Sequence, residues 1–211
     1  MDQEKILSDA KIFASQKLEG RESGHGFYHA LRVENLAETI AQKEGGDLFV
    51  VKMAALLHDV DDWKFSQENQ TQNWLNDQEI EKETIDHILD IIKNLSFKGA
   101  GVDTSMKTLE GQIVQDADRL DAIGAIGIAR AFSYGGHANR EMYNPDQKPE
   151  MHQSYDDYKT KQSHTINHFY EKLLLLKDRM NTKTAKELAL GRHKYMEQFL
   201  EEFFQEWKGE K

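Results

Sequence analysis

The stretch Leu48-Phe49-Val50-Val51-Lys52-Met53-Ala54-Ala55-Leu56-Leu57-His58-Asp59-Val60 decides how this 211-residue chain is read. Apart from Lys52 the run ahead of His58 is apolar, and a helix that is apolar on every face belongs inside a core. Asp47 stands directly in front of it, where a short acidic side chain caps a helix start. The run then delivers two polar groups, His58 and Asp59, to the edge of that core, where each needs a partner. Neighbouring residues on a helix lie about 100° apart around its axis. Both can therefore reach one ligand only from a helix end or a crevice.

Outward from this run, the apolar residues recur at three- and four-residue steps between glycine clusters at Gly24/Gly26, Gly45/Gly46, Gly99/Gly101 and Gly135/Gly136. No run of alternating β-branched residues reads as a strand, so the fold class is all-α. Helices are expected over about 2–18, 27–44, 48–60, 66–76, 78–95, 108–122, 124–134, 161–180 and 184–206. Gly45-Gly46 should end the second of these in the left-handed manner. Asn76 with Glu79, and Thr184 with Glu187, resemble capping boxes. Both prolines, Pro145 and Pro149, fall in the segment 137–162, which has little helical period and reads as a lid-like loop. One domain, 1–211, is expected, with a core over about 25–130 and C-terminal helices over about 161–206.

Composition removes several classes of function. Cysteine is absent, which excludes disulfides, thiolate metal sites and a cysteine nucleophile. The formal net charge of −10 argues against a nucleic-acid partner. No apolar run approaches the roughly 20 residues of a spanning helix, and the polar start lacks the pattern of a signal peptide. No membrane partner and a cytoplasmic location are expected. There is no glycine-rich phosphate loop and no Gly-x-Ser-x-Gly elbow.

What remains is a set of metal-ligand types. His29 lies in His25-Gly26-Phe27-Tyr28-His29-Ala30-Leu31-Arg32-Val33. Asp118 lies in Gln115-Asp116-Ala117-Asp118-Arg119-Leu120-Asp121-Ala122. With His58 and Asp59 they make two imidazoles and two carboxylates, a mixed N/O set suited to a divalent cation that activates water. Asp121 follows Asp118 by about one helical turn and can share its face, from where it would orient a ligand histidine or the site water. Asp116 is a candidate helix cap. Asp61 and Asp62, just beyond Asp59, are candidates for a general base, Asp62 foremost.

The ordered set His29, His58-Asp59, Asp118, with the contexts His29-x-x-Arg32-Val33, Ala54-Ala55-Leu56-Leu57-His58-Asp59-Val60 and Ala117-Asp118-Arg119-Leu120-Asp121-Ala122, resembles the HD-domain superfamily of metal-dependent phosphohydrolases. The stretch Asp116 to Gly127 is most similar to a branch of small bacterial HD proteins that includes nucleotide pyrophosphohydrolases. The chain departs from many members at His25-Gly26, where they carry His-Asp. The resemblance implies a helical bundle with the metal held between helices. It implies His29, His58, Asp59 and Asp118 as ligands, with Asp59 and Asp62 in catalysis. One divalent ion is implied, Mn²⁺ or Mg²⁺ first, with Fe, Zn, Co and Ni also admissible.

The implied activity is hydrolysis of a phosphoester or phosphoanhydride bond in a small phosphorylated molecule, a nucleotide or deoxynucleotide by the resemblance. Arg32, Lys172 and His87 are the candidate substrate contacts, and Arg119 is a further cation beside Asp118. Tyr134, Tyr143 and Tyr155 are candidates for stacking on a base, against a packing role. Two alternatives stand beside the hydrolase. A di-iron oxygenase would recruit His87 or another histidine as an added ligand, and a nucleotide sensor would keep the site without turnover. A homodimer suits a helical domain of this size, and Glu201–Trp207 is either an interface or a docked terminal helix.

Overall fold

The computed structural model describes residues 2–20, 26–61, 69–95, 103–151 and 163–211. Their regular structure is entirely helical, with no strand among the described residues. The α-helices are α1 (Gln3–Leu18), α2 (Phe27–Glu44), α3 (Leu48–Leu57), α4 (Gln70–Asn76), α5 (Lys82–Asn94), α6 (Leu109–Asp121), α7 (Gly124–His137), α8 (Thr165–Glu171) and α9 (Lys183–Trp207). A 3₁₀ segment, Leu173–Arg179, lies between α8 and α9. The chain sorts into two compact units. The first holds the described part of Met1–Phe97 together with Asp103–Asp118, and the second holds the described part of Arg119–Lys211.

The first unit is built on α3. Asp47 caps it, accepting from the Phe49 and Val50 amides at 2.9 and 3.2 Å, and α1, α2 and α5 pack around it. Every residue of α3 except Leu48 and Lys52 is buried, as an all-round apolar helix requires. Burying each leucine contributes about 1.5–3 kcal/mol. Lys52 avoids an unpaired charge by reaching Glu38 of α2 at 2.8 Å and Glu34 at 3.4 Å. Glu34 is itself buried and also meets Lys11 of α1 at 2.9 Å. Burial alone would pull the Lys52 ammonium down, but the Glu38 hydrogen bond and the two carboxylate charges leave it above its ordinary value. One ionic cluster thus joins α1, α2 and α3.

In the second unit α7 packs against α8 and α9, and the 3₁₀ segment joins the last two. The aromatic rings of Phe132, Phe169 and Phe199 meet at its centre. Tyr143 sits edge-on to Phe203, Phe204 and Trp207, so the Glu201–Trp207 end of α9 is docked within its own unit.

Several boundaries differ from the sequence reading for local reasons. The single helix expected over 161–180 breaks at Lys172 (φ −140°, ψ −60°). The following leucines bury Leu173 and Leu176, a three-residue spacing that matches the 3₁₀ period. The helix α7 runs through the Gly135-Gly136 pair to His137, and position 135 needs glycine for packing, since a Cβ there would stand 2.3 Å from Thr165 Oγ1. It stops at Asn139 (φ +53°), with the Arg140 amide returning to the Gly135 carbonyl. The α9 cap is Thr182, which accepts from the Ala185 amide, not Thr184. Neither Asn76 nor Glu79 caps α5, which starts after Glu81. Of the expected loop 137–162, residues 152–162 lie outside the described residues. The described part is pinned to α8 by Thr165 N–H to Glu141 O, Ile166 N–H to Met142 O, and the Gln147 carbonyl, which accepts from Asn167 Nδ2 and His164 Nε2. No helix among the described residues is long and apolar enough to cross a membrane.

Candidate metal centre

His58 is the residue at which α3 ends, and the chain then turns, with the Val60 amide bonded to the Leu57 carbonyl. The expected helix 48–60 therefore stops three residues early. This lets His58 and Asp59, which a continuing helix would splay, turn toward the same place. His58 Nδ1 lies 2.8 Å from the Ala55 carbonyl. A carbonyl only accepts, so Nδ1 carries the proton and Nε2 presents a lone pair.

That lone pair faces His29. Helix α2 starts at Gly26 and buries Ala30, Val33 and Ala37, which fixes His29 in its first turn at 2% exposure. The two Nε2 atoms are 3.2 Å apart, with the rings edge to face. Asp59 places one carboxylate oxygen 3.4 Å from His58 Nε2 and the other 3.5 Å from His29 Nε2. Asp118, on α6, places an oxygen 3.4 Å from His29 Nε2. His29, His58 and Asp59 form a group whose ligand atoms could share one ion, and Asp118 adjoins it. At 31% side-chain exposure Asp118 is the most accessible of the four.

Two features test whether a cation fits these residues. His29 Nε2 faces acceptor atoms of His58, Asp59 and Asp118, more lone pairs than a single N–H at that atom could serve. Bonds of about 2.0–2.2 Å to N and O ligands place neighbouring ligand atoms at separations like those found here. The donor set fits a divalent cation. Burial alone would push the Asp118 carboxyl up. The His29 hydrogen bond, with the two imidazoles beside it, outweighs this and the nearby Asp59 and holds it well below the usual carboxylate range.

The other candidates go elsewhere or stay apart. Asp62 and His25 lie outside the described residues. Asp61 accepts from the Gln70 amide at 3.1 Å and the Thr71 amide at 3.0 Å, one through each oxygen. Its carboxylate is thus engaged by the first turn of α4. Asp116 is not a cap, being fully buried inside α6, whose first turn is served by Thr108 Oγ1 accepting from the Gly111 amide. His87 Nε2 is 3.1 Å from Thr108 Oγ1 and 3.8 Å from Glu110, and it is not in the ligand group. Arg32 is half-buried on α2, one turn beyond His29. Asp121 and Lys172 belong to the second unit. There Asp121 is buried and accepts from Arg130 Nη1 at 2.8 Å. Burial lowers the nearby Arg192 guanidinium below its ordinary value, against the opposing charge of Asp121. Arg119 donates to the Arg179 carbonyl, so its guanidinium serves packing. Lys172 stands at the junction of α8 and the 3₁₀ segment.

Sequence reasoning passed over Glu34 and the α4-binding role of Asp61. Glu34 had a signal, since it occupies the i+4 position from Ala30 inside the apolar stripe of α2. Asp61 had none, because its partners are main-chain amides nine and ten residues away.

The family model described as HD domain matches residues 26–123. The chain is 38% identical over 206 residues to the uncharacterized protein YpgQ of Bacillus subtilis, covering 95% of this chain and 93% of that one. The structure of B. subtilis YpgQ in complex with ADP superposes with a TM-score of 0.79 over 98% of this chain and 97% of that one, at 36% identity. A Lactobacillus plantarum structure gives a TM-score of 0.91 at 42% identity, over 99% of this chain and all of that one. An HD-superfamily hydrolase from Bacillus thuringiensis gives 0.76 at 44% identity, over 98% of both chains.

Proposed function

Because this chain belongs to the HD-domain family, we propose that it is a metal-dependent phosphohydrolase that cleaves a phosphoanhydride or phosphoester bond of a small nucleotide. One observation carries the reading: two imidazole Nε2 atoms 3.2 Å apart face carboxylate oxygens of Asp59 and Asp118 at 3.4–3.5 Å. The B. thuringiensis hydrolase supports the reaction class. The ADP complex of YpgQ supports a nucleotide as substrate.

His29, His58, Asp59 and Asp118 would hold the cation, Mn²⁺ or Mg²⁺ by the carboxylate share of the set. Once bound, such a cation supplies Lewis acidity at a phosphoryl oxygen and lowers the pKa of coordinated water. The protein's own contribution is positional. The Ala55 carbonyl fixes the His58 tautomer, and burial of α2 fixes the His29 ring. Asp62 is assigned the proton-accepting role, and Arg32, one turn from His29, the role of partner to the substrate's phosphates. Lys172 and His87 remain further substrate contacts to test by substitution. A di-iron oxygenase would need His87 or another histidine beside these ligands, and among the described residues the only histidines in the group are His29 and His58.

The test is phosphorus NMR of the protein with nucleoside and deoxynucleoside triphosphates and Mn²⁺. Pyrophosphate with monophosphate shows cleavage between the α and β phosphates. Orthophosphate or tripolyphosphate keeps the hydrolase and changes the bond. No product from any nucleotide refutes the nucleotide assignment. Full metal content and activity in Asp59→Ala refutes the centre itself.

A further inference from the structure

Asp61 offers its whole carboxylate to another helix although it stands only two residues past Asp59. One oxygen accepts from Gln70 N–H at 3.1 Å and the other from Thr71 N–H at 3.0 Å. These are first-turn amides of α4, which have no partner inside their own helix. The residue that should cap them cannot: Asn69 sits in the left-handed region (φ +70°) and makes no side-chain cap bond. Asp61 caps α4 in its place, and its negative charge lies at the favourable end of the helix dipole.

The capped helix is firmly seated within the first unit. Leu75 and Thr71 are buried at 0% and 1% exposure, Trp74 stacks on Phe13 of α1 with centroids 5.1 Å apart, and α4 packs on α5. The turn that carries His58 and Asp59 is therefore held from two sides. Upstream it is the end of the buried helix α3, and downstream it is moored to α4 through one carboxylate. The interior of α3 fixes where His58 starts, but it does not fix the direction the chain takes after Asp59.

We infer that Asp61 is a positioning residue for the metal centre: by capping α4 it sets the orientation of the His58-Asp59 turn and thereby the affinity for the cation. This rests on the reading of His29, His58, Asp59 and Asp118 as cation ligands. Groups that orient metal ligands typically change affinity about 10–100-fold when removed.

The experiment measures Mn²⁺ affinity by electron paramagnetic resonance in wild type, Asp61→Asn, His58→Ala and Thr182→Ala. The Asn side chain keeps the shape but replaces one accepting oxygen with an N–H₂ facing an amide donor. Thr182→Ala removes the cap of α9, a loss of the same kind in the second unit. The inference expects Mn²⁺ binding at least about tenfold weaker in Asp61→Asn and unchanged in Thr182→Ala. It also expects faster hydrogen exchange at Gln70 and Thr71 in Asp61→Asn. Wild-type affinity in Asp61→Asn overturns it, and so does an equal loss in Thr182→Ala, which would make the effect one of general stability. Failure of the underlying reading looks different: wild type would bind no Mn²⁺, or His58→Ala would bind it unchanged.

Discussion

Gly127 and Gly191 both lie inside helices, in α7 and α9, and helix propensity gives Gly→Ala the same sign at each, a gain of about 1 kcal/mol. Packing separates them. A Cβ on Gly127 would stand 2.2 Å from the carbonyl oxygen of Ala122 and 2.5 Å from its carbon. The Ala122 main chain would have to retreat about 1.2 Å to reach an ordinary contact of 3.4 Å. It is not free to do so. The Ala122 and Ile123 amides are bonded to the Arg119 and Leu120 carbonyls, and Leu120 and Ile123 are at most 1% exposed. Overpacking of this kind costs about 1–3 kcal/mol. Set against the propensity gain, Gly127→Ala should be net destabilising by up to about 2 kcal/mol. At Gly191 nothing lies within 4 Å of the added methyl, so Gly191→Ala should stabilise by up to about 1 kcal/mol. Urea unfolding followed by circular dichroism reads both. Melting temperatures should move in opposite directions, by about 2–4 °C per kcal/mol for a chain of this length. If Gly127→Ala melts at or above the wild type, the close approach of the α6–α7 junction to α7 is refuted.

Three further outcomes are expected. Free Mn²⁺ at 100 times its dissociation constant should stabilise the protein by about 2.7 kcal/mol, seen as a rise in melting temperature that chelation reverses and Asp118→Ala abolishes. Lys52→Met leaves the buried Glu34 carboxylate with Lys11 alone and should cost about 1–3 kcal/mol in urea titration. Because the folded-state value of Lys52 lies above its ordinary 10.5, this difference from wild type should be complete below pH 10.5 and shrink as pH rises beyond it. Asp47→Ala removes the acceptor for two amides at the start of α3 and should cost about 1 kcal/mol in the same assay, with Asp47→Ser recovering most of it.

The fold class was legible because α2, α3, α6 and α9 carry their helical period in the residues themselves. Asp47 caps where a cap was expected, and Gly45 takes a positive φ of 92° at the end of α2. The leucine run 173–176 was not legible, since an apolar run does not distinguish a 3.6 from a 3.0 period over so few residues. Gly135 misled for another reason: it reads as a helix breaker, while its real constraint is the Thr165 side chain of a distant helix. In the proposed centre, the residue types and their order single out His29, His58, Asp59 and Asp118 as candidates, and the first three form a group able to share one ion. The tautomer of His58 and the engagement of Asp61 depend on main-chain groups, which every residue possesses and no sequence pattern marks. The bond that Asp121 accepts from Arg130 was not legible either, since no spacing rule pairs positions nine residues apart.

The bond from His58 Nδ1 to the Ala55 carbonyl has a consequence for how this centre can vary. Its acceptor belongs to the backbone, so no substitution at position 55 deletes it. Selection at that position acts on bulk alone, because Ala55 is fully buried. A small residue there keeps the imidazole aimed and its tautomer set, whereas a large one would move the helix end and the ligand together. Drift in the interior of α3 is thus coupled to metal chemistry through volume. A carbonyl is also a weaker acceptor than the carboxylates that often back metal-bound histidines. The electron donation of His58 is therefore fixed by the helix, and in the proposed centre tuning of the cation would fall to Asp59 and Asp118.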